Sequence, residues 1–135
     1  MGQTALWFYY KHMTAGLYEL KLEQGTTFRR AIRYIADETP VDLTGYDIRM
    51  QIRPQYADRT DEILLEATLG NGRIEILDQS DPDEVGYFTI TISAEDTENL
   101  QWDRQAFYDI ELEESNGHVI RLLAGRATLF REVTR

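Results

Sequence analysis

Residues 87–112 constrain the fold more than any other part of the chain, because two alternating segments flank a short polar stretch. A period of two is typical of a strand with one buried face. The positions that form these faces are Phe88, Ile90 and Ile92, then Tyr108, Ile110 and Leu112. Between the segments, Ser93 and Asp96 have the spacing of a helix cap, so we expect one short helical turn there.

A strand, a short helical turn and a second strand carrying Tyr108 are typical of the corner between the two sheets of an immunoglobulin-like sandwich. Elsewhere, short alternating segments recur with turn residues between them, as in Ile48, Met50 and Ile52 among charged neighbours. This pattern differs from the alternating strands and helices of a parallel sheet. We therefore predict an all-β, immunoglobulin-like antiparallel β-sandwich of about eight strands, with one short helical turn and an N-terminal extension.

Turn residues divide the second half of the chain into strands. Asn-Gly pairs at residues 71–72 and 116–117 predict two β-hairpins, because both positions of such a turn tolerate positive φ. The last two strands are predicted at residues 119–123 and 127–132, with a bulge or bend at Gly125 between them. This regular spacing of turns favours a sandwich.

Arginines mark the segment that follows the turn at Gly25. Arg29, Arg30 and Arg33 are spread over both of its faces, so we predict an edge or partly exposed strand whose basic side chains discourage strand addition. Carboxylates line one face of a later strand: Asp109, Glu111 and Glu113. We expect five arginines to meet them across neighbouring strands, namely Arg29, Arg30, Arg33, Arg49 and Arg53. Such exposed pairs support strand register and contribute roughly a few tenths of a kcal/mol each.

Residues 1–16 differ from the rest, because aromatic side chains are crowded there ahead of the first alternating strand. We divide the chain into this segment and a sandwich domain at residues 17–135. The segment has two interpretations: an extra edge strand or short helix that packs on its own domain, or an arm that binds a neighbouring subunit. For the second, the predicted partner-binding residues are Leu6, Trp7, Phe8, Tyr9, Tyr10 and Met13.

Composition limits the class of protein. A chain of 135 residues is long enough for one domain with a hydrophobic core, and the absence of cysteine removes disulfides and thiolate metal sites. The 14 basic and 24 acidic residues give a formal net charge of -10, which repels nucleic acid and anionic membranes. The sequence has no apolar stretch long enough to cross a membrane and no signal peptide, so we expect a soluble chain made in the cytoplasm.

The motifs predict no catalytic, cofactor-binding or metal-binding site. The histidines, His12 and His118, lack the spacing of metal ligands, and the serines occur where turns or caps use a hydroxyl. Residues 78–84, DQSDPDE, offer hard oxygen ligands for calcium. They lack the glycine and the distal glutamate of a helix-loop-helix site, which favours a solvated acidic turn. We therefore expect that the protein is not an enzyme and needs no cofactor.

In their order along the chain, several short motifs resemble a domain common in tailed-bacteriophage tail and baseplate proteins. They are GTTF at residues 25–28, PVDLTGY at 40–46, QIR at 51–53, NGRI at 71–74, Gly86, ISAEDT at 92–97, YDIEL at 108–112, Gly117, RLLAG at 121–125 and EVTR at 132–135. The chain is similar to the immunoglobulin-like N-terminal domain of phage baseplate upper proteins, which attaches receptor-binding fibres to the tail. The aromatic segment at residues 1–16 departs from that pattern.

The resemblance implies a structural virion protein, an adaptor subunit of the tail or baseplate that attaches fibres and works by symmetric assembly. Its expected partners are other phage structural proteins, such as tail, baseplate or fibre subunits, and further copies of itself. Two alternatives stay open: a head decoration or cement protein, and a carbohydrate-binding β-sandwich module. The module would stack sugars on Trp7, Tyr9, Tyr10 or Trp102, although Trp102 is expected to close the end of the core.

Overall fold

The computed structural model describes residues 4–10, 16–54, 62–102 and 105–133. Within these ranges the chain forms eleven strands and one short helix. They are β1 (Thr4–Tyr10), β2 (Gly16–Leu17), β3 (Leu20–Glu23), β4 (Phe28–Ala36), β5 (Thr39–Pro40), β6 (Asp47–Arg53), β7 (Leu65–Thr68), β8 (Ile74–Ile76), β9 (Tyr87–Ile92), α1 (Ala94–Glu98), β10 (Gln105–Glu113) and β11 (Val119–Phe130). No helix in the described part of the chain has the length and apolar character needed to cross a membrane.

The strands form two sheets. Sheet 1 has the order β1-β4-β9-β8, with β5 also paired with β4; sheet 2 has the order β2-β11-β10-β6-β7, with β3 also paired with β11. The sheets pack as an immunoglobulin-like β-sandwich, which confirms the predicted fold class. The arrangement is not purely antiparallel, because β1 pairs with β4, and β2 and β3 pair with β11, in parallel.

Apolar residues of both sheets meet in one core. In sheet 1, Phe88, Ile90 and Ile92 of β9 are fully buried. They belong to the same cluster as the fully buried residues of sheet 2, which include Ile48, Met50 and Ile52 of β6 and Ile110 and Leu112 of β10. The intervening residues of β6 are partly or fully exposed. The alternation in the sequence therefore identifies the core face of these strands correctly.

The chain passes from sheet 1 to sheet 2 through α1, as predicted. Ser93 Oγ accepts a hydrogen bond from Asp96 N at 3.1 Å and so caps the helix. The fully buried Thr97 then fixes the helix against the turn between β3 and β4. Its Oγ1 accepts from Gly25 N at 3.1 Å and donates to Thr26 O at 2.7 Å. These two bonds join the corner to a segment about 70 residues away in sequence.

β4 is a central strand, and the prediction of an edge or partly exposed strand there is wrong. It pairs with β1 on one side and with β9 on the other. Arg33, predicted to guard an edge, is instead buried, with 9% of its surface exposed. Its guanidinium donates to the carbonyl oxygens of Val85 and Pro82, so the loop before β9 packs against this end of the strand. The alternation of residues along β4 does not show that a loop distant in sequence buries Arg33.

Only one of the two Asn-Gly turns joins a hairpin. Asn116 and Gly117 lie between β10 and β11, which pair with each other. Asn71 and Gly72 reverse the chain, but β7 belongs to sheet 2 and β8 to sheet 1, so the hairpin predicted there is wrong. The two last strands predicted on either side of Gly125 are one continuous strand, β11, and the register shift of the β10–β11 pair lies elsewhere, so the interruption predicted at Gly125 is also wrong.

Candidate functional site

The predicted partner-binding segment forms β1, at one edge of sheet 1. Its backbone pairs with β4 in parallel, from Thr4 opposite Arg30 to Tyr10 opposite Ala36. Five of the six predicted partner-binding residues belong to this strand: Leu6, Trp7, Phe8, Tyr9 and Tyr10. The sixth, Met13, lies outside the described residues. That these residues bind a neighbouring subunit stays a prediction.

The outer face of sheet 2 carries a ladder of ion pairs. Arg49 on β6 contacts Glu111 and Glu113 on β10, with N–O distances of 3.1 Å in both cases. Arg121 on β11 approaches Asp109 and Glu111 from the other side, at 3.3 and 3.5 Å. Each of the three β10 carboxylates therefore has an arginine partner. Because the pairs are partly exposed, each contributes about 1 kcal/mol or less to stability.

The structure corrects which arginines meet these carboxylates. Arg49 does so, as predicted. The same prediction for Arg29, Arg30 and Arg33 is wrong, because β4 belongs to the other sheet. Arg53 donates to Gln51 Oε1 at 3.0 Å, and its charge also lowers the pKa of Asp109. The sequence does not show that Arg121 meets these carboxylates, because its position opposite them depends on the register shift between β10 and β11.

A shallow depression of about 290 Å³ lies in the middle of this face. Because three arginines line it, namely Arg49, Arg53 and Arg121, we call it the arginine depression. Phe107 forms part of its apolar wall and lies opposite Arg53 on one side and Arg126 on the other. The depression thus combines arginines, the carboxylates of Asp109 and Glu111 and aromatic surface; arginine and aromatic side chains are enriched at the centre of protein interfaces.

Asp109 lies half buried in the arginine depression, and this burial raises the pKa of its carboxyl group. The neighbouring Glu111 raises the pKa further, because a second negative charge disfavours ionisation. Arg121 acts in the opposite direction and lowers it. Desolvation is the largest of these effects, so ionisation of Asp109 is less favourable in the depression than in water.

The variant Asp109→Asn is expected to change the pH dependence of stability. Because the pKa of Asp109 is raised above 3.8 in the folded chain, the folded state binds this proton more tightly than the unfolded state does. Wild-type stability relative to the variant should therefore rise as the pH falls from the raised pKa through 3.8. Urea denaturation of both proteins in steps from neutral pH to about pH 4 measures this difference. Parallel stability curves would contradict the raised pKa.

Residues 78–84, which we call the acidic loop, lie between β8 and β9 and are held against sheet 1. Arg33 donates to Val85 O at 2.9 Å and to Pro82 O at 3.1 Å. Gln79 Oε1 accepts from two backbone amides, at 2.8 and 2.9 Å. These four hydrogen bonds give the loop a defined position.

The carboxylates of the acidic loop bind backbone amides of the loop itself. Asp78 accepts from Ser80 N at 3.0 Å, and Glu84 accepts from Asp78 N at 3.0 Å. The hydroxyl and amide of Ser80 also lower the pKa of Asp78, which keeps it ionised. Among the described residues, none of the loop carboxylates forms an ion pair. Nor do those residues contain a group of three or more acidic or histidine side chains placed to hold a metal ion.

His118 and Trp102 form contacts within their own domain. His118 Nδ1 lies 2.9 Å from Glu114 Oε2, and His12 lies outside the described residues. Trp102 closes the end of the core, as predicted: it is 6% exposed, and its Nε1 donates to Ala127 O. Because its ring is buried, Trp102 offers no platform for stacking a sugar.

No protein-family model matches the chain, and no curated protein matches it by sequence. Among solved structures, the N-terminal domain of phage TP901-1 ORF48 matches with a TM-score of 0.53 and 8% identity, covering 95% of this chain and 98% of that one. A chicken T-cell receptor matches at 0.47 and 13% identity, covering 87% and 56%. CopC from Methylosinus trichosporium OB3b matches at 0.40 and 11%, covering 86% and 89%; the last two similarities are too low to carry an argument. The chain thus shares its fold, along nearly its whole length, with a domain of a phage protein.

Proposed function

We propose that this protein is a structural subunit of a tailed-bacteriophage particle, an adaptor of the tail or baseplate that attaches fibres and works by symmetric assembly. The observation that carries the proposal is the match to the phage TP901-1 ORF48 domain, which spans 95% of this chain and 98% of that one. The order of short motifs, from GTTF at residues 25–28 to EVTR at 132–135, supports the same class of protein.

The physical character of the molecule suits a building block. Its two sheets enclose one core, and the corner through α1 is fixed by hydrogen bonds of the buried Thr97, so the module is stiff. The carboxylates Asp109, Glu111 and Glu113 bind arginines across the sheet. In the proposed role they support strand register, and the protein is neither an enzyme nor a cofactor-binding protein.

The proposed partners are other phage structural proteins and further copies of this chain, within the virion. Contacts with a neighbour would come first from the aromatic segment, through Leu6, Trp7, Phe8, Tyr9, Tyr10 and Met13. Large aromatic side chains are enriched among the residues that dominate interface energies. β1 also lies at the edge of sheet 1, where a strand is accessible to another chain.

A truncation that removes residues 1–12 tests this assembly role. We expect the full chain to self-associate as its concentration rises, and the truncated chain to stay folded but associate at least about tenfold more weakly, because interface anchors are lost. Sedimentation velocity measures association, and circular dichroism checks the fold. Equal association of both chains would contradict the role of the segment. Loss of folding would instead make it part of its own domain.

The same preparation distinguishes the structural role from the carbohydrate-binding alternative. The full chain is expected to assemble and to leave a glycan array unlabelled. Sugar binding by a chain that stays monomeric at every concentration would favour the carbohydrate-binding module instead. A variant with Trp102 replaced is a poor probe here, because the residue is buried and its loss would disturb the core.

A further inference from the structure

We infer that two copies of this chain join edge to edge, through antiparallel backbone pairing of their β1 strands across a two-fold axis. The inference rests on the proposed function, because it names a contact within the proposed homo-oligomer. β1 is the outermost strand of sheet 1, and among the described strands only β4 pairs with it. Addition of a strand at such an edge would join sheet 1 of one copy to sheet 1 of the other through main-chain hydrogen bonds.

The hydrogen bonds of β4 show which of its residues face β1. Tyr34 N donates to Gly86 O at 2.8 Å, and Tyr34 O accepts from Val41 N at 3.0 Å. Both partners lie on the side of β4 away from β1, because Gly86 immediately precedes β9 and Val41 follows β5. Successive residues of a strand direct their backbone groups to opposite sides. The backbone groups of Arg33 and Ile35 therefore face β1.

The register of the parallel pair then shows which backbone groups of β1 stay available. In a parallel pair, a residue bonds to the two neighbours of the residue opposite it. Arg33 lies opposite Trp7, so Leu6 and Phe8 direct their backbone groups to β4. The residues between and beside them direct theirs away from the sheet, and we call them the outward residues: Ala5, Trp7 and Tyr9.

β7, an edge of sheet 2, is protected by side chains of the turn that follows it. Glu66 O accepts from Asn71 Nδ2 at 2.9 Å and from Arg73 Nη1 at 2.7 Å. Thr68 N donates to Asn71 Oδ1 at 3.0 Å. These backbone groups of β7 are therefore already bonded within the chain, and another strand cannot use them without displacing the two side chains.

The remaining edge strands limit strand addition by length and charge. β8, at the other edge of sheet 1, has three residues and exposes Glu75 in its middle. β2 and β3, which pair with β11 in sheet 2, have two and four residues, and β3 exposes Lys21 and Glu23. Short edge strands and charged side chains are common protections against pairing with another chain.

β1 has none of these protections. Its seven residues, TALWFYY, include no charged residue, no proline and no glycine. They are rich in aromatic residues, which favour strands, and an uncharged strand of this kind at an edge readily pairs with another chain. The net charge of -10 repels a second copy over most of the surface, but antiparallel pairing of β1 with itself brings no charged residues together. A second copy of β1 therefore suits this edge.

The outward residues also set the register of the pair. A two-fold axis at Trp7 places Ala5 opposite Tyr9 and Trp7 opposite its counterpart, so every outward residue gains a partner. Both copies use the same surface, which gives a closed dimer rather than a filament. Once β1 is paired in both copies, neither of them offers this edge to a third chain.

Hydrogen exchange at single amides, followed by NMR on the full chain, tests the pairing. In dilute solution the amides of Leu6 and Phe8, bonded to β4, should exchange about tenfold or more slowly than those of Ala5, Trp7 and Tyr9. In a concentrated, associated sample this alternation should disappear, because the outward amides gain partners. Sedimentation velocity on the same samples shows whether the chain is a monomer or a dimer.

The variant Ala5→Pro checks the contact without changing an aromatic residue. Proline removes the outward N–H, yet an edge strand tolerates it where the N–H faces solvent, so circular dichroism should show a retained fold. The dissociation constant of the dimer should rise about tenfold or more, because each dimer loses this bond twice. Ala5→Ser is the matched control: it keeps the N–H and should stay within about threefold of wild type.

The outcomes separate this contact from the assembly role. If the alternation persists in the associated chain, or if Ala5→Pro associates as well as Ala5→Ser, the edge pairing is wrong and the assembly role survives through other contacts. Unfolding of Ala5→Pro would also contradict the pairing, because the Ala5 amide would then face β4. If the wild-type chain stays monomeric at every concentration, both the pairing and the proposed self-assembly fail.

Discussion

Replacing Phe88 by alanine is expected to lower the free energy of unfolding by about 3–5 kcal/mol. Phe88 is fully buried in β9 and lies opposite Ile32 of β4 and Ile76 of β8 within sheet 1. Removing its ring takes apolar surface out of the core and leaves a cavity that neighbouring strands, held in hydrogen-bonded pairs, fill only in part. The loss is a large fraction of the total stability of a domain of this size.

Thr91→Ala on the same strand is the matched control for Phe88→Ala. Thr91 lies on the other face of β9, is partly exposed, and accepts a hydrogen bond from Arg29. Its replacement should cost about 1 kcal/mol or less. Urea denaturation monitored by tryptophan fluorescence measures both variants. A loss of similar size at the two positions would mean that β9 does not present one face to a shared core.

Replacing Arg33 by methionine is expected to cost about 2–4 kcal/mol of folding free energy and to loosen the acidic loop. The buried guanidinium donates to two carbonyl oxygens, Pro82 O and Val85 O, and lies 4.8 Å from the ring centre of Tyr87. Methionine fills part of the space but leaves both carbonyls without this donor. Hydrogen exchange should therefore quicken at residues 79–87, because the loop is no longer held in place.

Arg29→Met is the control for Arg33→Met, because both arginines lie in β4 and only Arg33 is buried. The Arg29 side chain is exposed and donates to Thr91 Oγ1, so its loss should change stability by about 0.5 kcal/mol and leave the exchange at residues 79–87 as in wild type. Equal effects of the two variants would show that the Arg33 hydrogen bonds do not hold the loop. Stability should be measured by denaturation and exchange by mass spectrometry.

The sequence predicts the structure where the constraint is local, as when one face of a strand is buried and the other is exposed. Ile48, Met50 and Ile52 alternate with polar and charged residues because one face of β6 meets the core and the other meets water, and the structure confirms this. The corner through α1 was predictable for the same reason, since Ser93 caps the helix from its own neighbourhood.

Where the constraint comes from a distant segment, local patterns mislead. Asn71 and Gly72 encode a reversal of the chain, but they do not encode which sheet receives the next strand. The local pattern therefore predicts a hairpin where the chain crosses from sheet 2 to sheet 1. A long basic side chain such as that of Arg33 is typical of an exposed edge strand, yet the loop before β9 buries it. The arginine depression brings Arg53, Phe107 and Arg121 together from three strands, and no spacing within the sequence shows that arrangement.

The most direct measurement of the central claim is cryo-electron microscopy of the phage particle whose genome encodes this chain. The account predicts density for the two-sheet sandwich in several symmetry-related copies at the tail or baseplate, in contact with fibre or baseplate subunits. Mass spectrometry of the same purified particles should detect the chain in those copies. Its absence from the particles would contradict the proposed structural role, and density on the head alone would make it a decoration protein instead.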